Sequence, residues 1–92
     1  MGKIIRSNGV NEQVQPVNHK DYKLDELQEI CGGYVEPIEL DDKRTMWVNE
    51  MGKVIGLPYN DEATTIAIES GAISSEDFIL GDVLICETDE VY

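Results

Sequence analysis

Short apolar runs alternate with polar breaks along this chain. Lys3-Ile4-Ile5-Arg6-Ser7 is a brief β-type run, and Asn8-Gly9 follows it. That dipeptide suits a type I′ hairpin, which needs positive φ at both central positions. Val10–Val17 is then the returning strand. Pro16 has no N–H, so this strand lies at a sheet edge or ends there. Asn18–Tyr22 is polar and reads as a loop. Leu24, Leu27, Ile30 and Cys31 are spaced 3, 3 and 1 apart, which places them on one helical face. With Asp21 as N-cap and Gly32-Gly33 as the stop, the pattern predicts a helix over 22–31.

Tyr34–Leu40 is rich in β-formers, with Pro37 marking an edge or a bulge. Asp41-Asp42-Lys43 is a turn and Arg44–Asn49 a strand. Glu50-Met51-Gly52 reads as a three-residue turn, from which Lys53-Val54-Ile55 pairs back to complete a three-stranded meander. Asn60 can cap a helix over 60–69, with Asp61 and Glu62 in its first turn, where the macrodipole favours negative charge. Ala63, Ile66 and Ala67 are its apolar stripe, and Gly71 ends it. Residues 70–77 are a polar loop. Val83-Leu84-Ile85-Cys86 is apolar without interruption, as a strand covered on both faces requires, so it belongs at the centre of the sheet. Glu87–Tyr92 reads as an acidic tail. The expected class is α+β: a single domain over 1–92 comprising N-terminal hairpin, helix, meander, short helix and central C-terminal strand. Residues 1–23 form the hairpin and loop.

Charge narrows the function. Of 92 residues, 19 are Asp or Glu and 7 are Lys or Arg, for a formal charge of −12. Residues 1–23 carry a net +2, and residues 24–92 carry −14; from Asp61 onward there is no base at all. Nucleic-acid affinity comes from Lys and Arg displacing phosphate counterions, so direct nucleic-acid binding and adhesion to anionic lipid are poor readings. A basic protein surface is the favoured partner. The bland alternative is that the acidity only keeps a small protein soluble. No apolar run reaches a membrane span, and the N-terminal apolar stretch is too short for a secretory signal.

The search for chemistry is negative. The glycines match neither the dinucleotide nor the P-loop spacing. The one histidine, His19, lies in a polar loop, and neither Cys31 nor Cys86 has a basic neighbour in sequence. With no Cys-x-x-Cys pair, no metal site and no cofactor are expected. The two cysteines read as reduced, buried hydrophobes, with one disulfide between them left open. Trp47 reads as core. Two sets of binding residues remain. The first is an acidic face of Glu36, Glu39, Asp41, Asp42, Asp61, Glu62, Glu69, Glu76 and Asp77. The second is a small cleft of Asn49, Tyr59 and Asn60, to which Lys53 and Arg44 could lend positive charge.

Four segments read together in order carry a resemblance. These are Leu27-Gln28-Glu29-Ile30-Cys31-Gly32-Gly33-Tyr34, Asn49-Glu50-Met51-Gly52-Lys53, Gly56-Leu57-Pro58-Tyr59-Asn60 with Ala63-Thr64, and Gly81-Asp82 before the last strand. They resemble an uncharacterised domain family of phages and bacterial mobile elements, over about 27–86. The resemblance implies an intracellular protein of the bacterial host cytoplasm and no known catalytic residues. The expected function is therefore non-enzymatic: binding and inhibiting or modulating a basic host protein, a nucleic-acid-binding one included, with carboxylates imitating a phosphate array against restriction or CRISPR machinery. The alternative is a nucleotide-sequestering protein using the Asn49–Asn60 cleft. A symmetric dimer through an exposed sheet edge is left open.

Overall fold

An apolar run with no polar position must be covered on both sides, and the first four residues of β5 (Val83–Glu87) are all buried. The computed structural model describes residues 1–91. Among these, β5 lies at the centre of a five-stranded sheet with β1 (Gly2–Ile5), β2 (Asn11–Val14), β3 (Val35–Glu39) and β4 (Arg44–Asn49), in the order β2-β1-β5-β4-β3. Every neighbouring pair is antiparallel. The helices are α1 (Leu24–Cys31), α2 (Gly52–Ile55) and α3 (Asp61–Glu69). The class is α+β.

The pleat sends alternate residues to opposite faces. Val83 and Ile85 join Ile5, Met46 and Val48 beneath Ala63 and Ala67 of α3. Leu84 and Cys86 join Ile4 and Tyr22 beneath Leu27 of α1, with Trp47 half-buried against them. The sheet is thus sandwiched between one helix on each side. Of the predicted α1 stripe, Leu27 and Cys31 are buried, while Leu24 stays exposed. Gly32 adopts φ 80° and donates its N–H to the Gln28 carbonyl at 2.8 Å, so α1 stops where the Gly-Gly pair predicts.

Several expectations are corrected. The first hairpin does not use a type I′ turn. Gly9 has φ 92°, but Asn8 does not have positive φ; its side-chain oxygen instead accepts the Val10 N–H at 3.0 Å. Gly9 N–H bonds the Arg6 carbonyl and Arg6 N–H the Val10 carbonyl, a three-residue loop closed by one left-handed glycine. The returning strand is shorter than 10–17, because pairing ends at Val14, before Pro16. β2 is an edge strand, as Pro16 implied.

Asp21 does not cap α1. It accepts from the Asn18 amide at 2.8 Å and pairs with Lys23 at 3.2 Å. Helix α1 starts two residues later than 22, and Glu26 reaches back to accept the Lys23 N–H at 2.8 Å.

The third meander strand does not form, and Lys53-Val54-Ile55 belongs to the single turn α2. β4 already has β3 on one edge and β5 on the other, so it offers no edge to a strand returning from it.

The acidic tail folds back onto the body. Thr88–Glu90 makes a 3-10 turn, and the Glu90 carbonyl accepts the Tyr22 N–H at 2.6 Å. The Glu90 carboxylate pairs with the N-terminal amine and accepts the Glu87 N–H. Val91 forms a bridge with Tyr22. Tyr92, the end of the expected tail, lies outside the described residues.

Cys31 and Cys86 are both free and buried. Burial pushes each thiol up to about 12, because the thiolate is penalised by desolvation. The native protein should therefore resist a thiol-specific reagent at about pH 8, and two thiols per chain should react once urea unfolds it. Rapid labelling of the folded chain would contradict this burial.

Candidate functional site

Among the described residues, none of the side-chain carboxylates is buried. Among the described residues, five of the seven side-chain bases and the N-terminal amine pair with Glu90, Glu62, Glu12, Asp82, Asp21, Asp41 and Asp77. The other twelve carboxylates have no cationic partner, and nearly all of them are exposed.

The nine acids singled out from sequence fall into separate places. Glu36 and Glu39 lie on β3, and Asp41 and Asp42 on the turn after it. Asp41 is tied down by Arg44 at 2.9 Å and by the N–H groups of Lys43 and Arg44. Those backbone and guanidinium donors hold it below the usual carboxylate range. Asp61 and Glu62 open α3, and Glu69 ends it. Glu62 accepts from the Asn11 amide at 3.0 Å. Glu76 and Asp77 lie on the loop after α3. Glu36 and Asp77 are brought together, on the wall of one cleft.

That cleft lies between β3, the end of β4, the start of α2 and the segment after α3. Asn49, at the end of β4, is buried; its oxygen accepts the Met51 N–H at 2.8 Å and its amide donates to the Cys31 carbonyl at 3.0 Å. These bonds turn the chain out of the sheet and into α2. The cleft has a volume of about 150 Å³. Ile38, Val48, Ile73 and Ile79 make its apolar lining, and Glu36, Glu50 and Asp77 contribute carboxylates. The Lys53 amine bonds Asp77 at 2.5 Å and lies 4.6 Å from the Phe78 ring centre. It holds Asp77 below the usual carboxylate range, with help from the Phe78 N–H. A depressed carboxylate contributes its stability above the unfolded value of about 3.9 and loses it only as pH falls through the lower folded value. The pair is therefore intact at neutral and mildly acidic pH.

The predicted ligand cleft is divided. Asn49 and Lys53 line the α2 cleft, but Tyr59 and Asn60 do not. Tyr59 is exposed outside it, 6.3 Å from Phe78 between ring centres. Asn60 is fully buried, its amide donating to the carbonyls of Ile5 at 2.9 Å and Gly81 at 2.8 Å. Its oxygen caps α3 through the Ala63 N–H at 3.0 Å. Arg44 pairs with Asp41 elsewhere. Both asparagines thus spend their polar groups on the fold.

Sequence reasoning missed the exposed apolar group around α2. Val54 is 75% and Ile55 58% exposed, and Met51, Tyr59 and Phe78 are exposed as well. The signal was present: an apolar pair between Gly52 and Gly56, on a segment too short to bury itself.

Among the described residues, no cluster of three or more His, Cys, Asp or Glu could hold a metal ion, and no helix is long and apolar enough to cross a membrane. A family model described as a domain of unknown function, DUF3846, matches residues 4–91. This span includes the Asn8-Gly9 turn and most of the first hairpin, which the resemblance noted from sequence did not reach. No curated protein and no solved structure matches significantly.

Proposed function

The chain belongs to the DUF3846 family, and we propose that it is a non-enzymatic protein that binds a basic partner protein through its carboxylates. The observation carrying this reading is the dozen carboxylates that have neither burial nor a cationic partner among the described residues. Charges held at a water-exposed surface project a field that steers an oppositely charged protein and repels phosphate. Twelve such charges on 92 residues far exceed what a few units of net charge already provide for solubility. With the phage and mobile-element resemblance, the reading extends to a host nucleic-acid-binding protein of the bacterial cytoplasm, whose phosphate-binding groove the carboxylates would occupy.

The nucleotide-sequestering alternative has less behind it. The α2 cleft, at about 150 Å³, is smaller than the roughly 300–1,000 Å³ of small-molecule sites. Its one cation, Lys53, is already paired with Asp77.

Immobilised protein should retain a basic protein from bacterial lysate at about 0.1 M salt and release it near 1 M, where the Debye length falls from about 10 Å to about 3 Å. Nucleotides should leave its melting temperature unchanged, since a ligand of the folded state would raise it by mass action. Recovery of no basic protein, together with stabilisation by a nucleotide, would reverse the two readings.

A further inference from the structure

Val54 and Ile55 are the most exposed apolar side chains of α2, and neither belongs to the core on either face of the sheet. Met51 stands one turn before Ile55, the Phe78 ring centre lies 4.6 Å from the amine of Lys53, the residue before Val54, and Tyr59 is 6.3 Å from Phe78 between ring centres. An exposed apolar patch rimmed by polar residues is the signature of a docking surface. Here the unpaired rim charges are of one sign, since Lys53 is tied to Asp77. Glu36 and Glu50, on the wall of the adjoining cleft, and Glu76, next to Asp77, are exposed and lack cationic partners among the described residues.

The rim also selects the occupant. A symmetric dimer on this face would set each acidic rim against its own copy, since a two-fold interface pairs a patch with itself. Such juxtaposed like charges are unfavourable. A partner bearing apolar side chains between lysines or arginines satisfies both features. The cleft, with its apolar lining and carboxylates, has room for about five water volumes, which suits one side chain and not a free ligand.

Resting on the basic-partner reading, we infer that the α2 face is where the partner docks. It takes a protein segment whose apolar side chain enters the cleft and covers Val54 and Ile55, while flanking Lys or Arg residues meet Glu36, Glu50 and Glu76. Burial of an apolar centre inside a charged ring is the arrangement in which a few residues carry most of the binding energy.

The test uses amide chemical-shift mapping with three defined peptides of equal length: one alternating Lys with Leu, one alternating Lys with Ser, and one alternating Glu with Leu. The Lys/Leu peptide should shift the amides of residues 51–57, 59 and 76–80 and bind most tightly, and the Glu/Leu peptide should not bind. Val54→Ser with Ile55→Ser should weaken the Lys/Leu peptide roughly tenfold, the scale of a hot-spot loss, and leave the Lys/Ser peptide unchanged. Both side chains face water, so the melting temperature should hold. Glu36→Gln with Glu50→Gln and Glu76→Gln should weaken both basic peptides. If the two basic peptides bind alike and the serine variant changes neither, the docking face is refuted and the acidic-surface reading stands. Shifts confined to the amides of α1 and β2 would also refute it. If neither basic peptide binds at low salt, both readings fall together.

Discussion

Asn60→Ala should destabilise the protein by about 3–4 kcal/mol, a large share of the 5–15 kcal/mol that holds a domain together. The Asn60 side chain makes three hydrogen bonds in the interior: to the carbonyl of Ile5 at the end of β1, to the carbonyl of Gly81 before β5, and from the N–H of Ala63 in α3. Each lost bond is worth about 1 kcal/mol, and a buried group left without a partner costs more. The N-cap alone accounts for about 1 kcal/mol. Asn60→Asp separates the contributions. A carboxylate still caps α3 but cannot donate to the two carbonyls, and it brings negative charge against them. The aspartate variant should therefore be at least as damaged as the alanine variant in urea unfolding. An aspartate variant as stable as the parent would mean that the cap alone matters.

Leu84→Ala should cost about 3–5 kcal/mol, the range of fully buried leucines whose surroundings collapse only in part. Leu84 has no exposed surface and packs on the α1 side of the sheet with Ile4, Tyr22, Leu27 and Cys86. Its strand has neighbours on both edges and cores on both faces, so little can move in to fill the void. The urea midpoint should fall sharply while its slope holds. Val54→Ala, three-quarters exposed in the parent, is the matching control and should change stability by under about 0.5 kcal/mol. A Leu84 variant as mild as the Val54 variant would deny β5 its central, doubly covered place.

The parts of the fold that were legible in the sequence are those fixed by local chemistry or by unbroken patterning. Gly32 stops α1 because a left-handed residue is needed there. Asn60 caps α3 as its side chain allows. The apolar run Val83–Cys86 announced a doubly covered strand. What the sequence did not reveal depends on partners distant in the chain. Whether Lys53-Val54-Ile55 pairs as a strand turns on the availability of a β4 edge, and β5, some thirty residues later, takes it. The expected tail looked solvated because its residues are acidic, yet the backbone of Tyr22 and the N-terminal amine draw Glu90 in. Asn8-Gly9 marked the right turn but not its type, since a glycine alone can carry the positive φ. The site divides the same way. Residue types placed Asn49 and Lys53 near a cleft, but only the long-range bonds of Asn60 reveal that its amide serves the interior. The exposure of Val54 and Ile55 follows from the missing strand.

The most direct measurement is the association rate of the chain with its recovered basic partner as a function of salt. Unpaired, water-facing carboxylates predict a rate that falls at least roughly tenfold between about 0.1 M and 1 M salt, with dissociation changing far less. A rate indifferent to salt would show that these charges do not steer the encounter, and would contradict their role in choosing the partner.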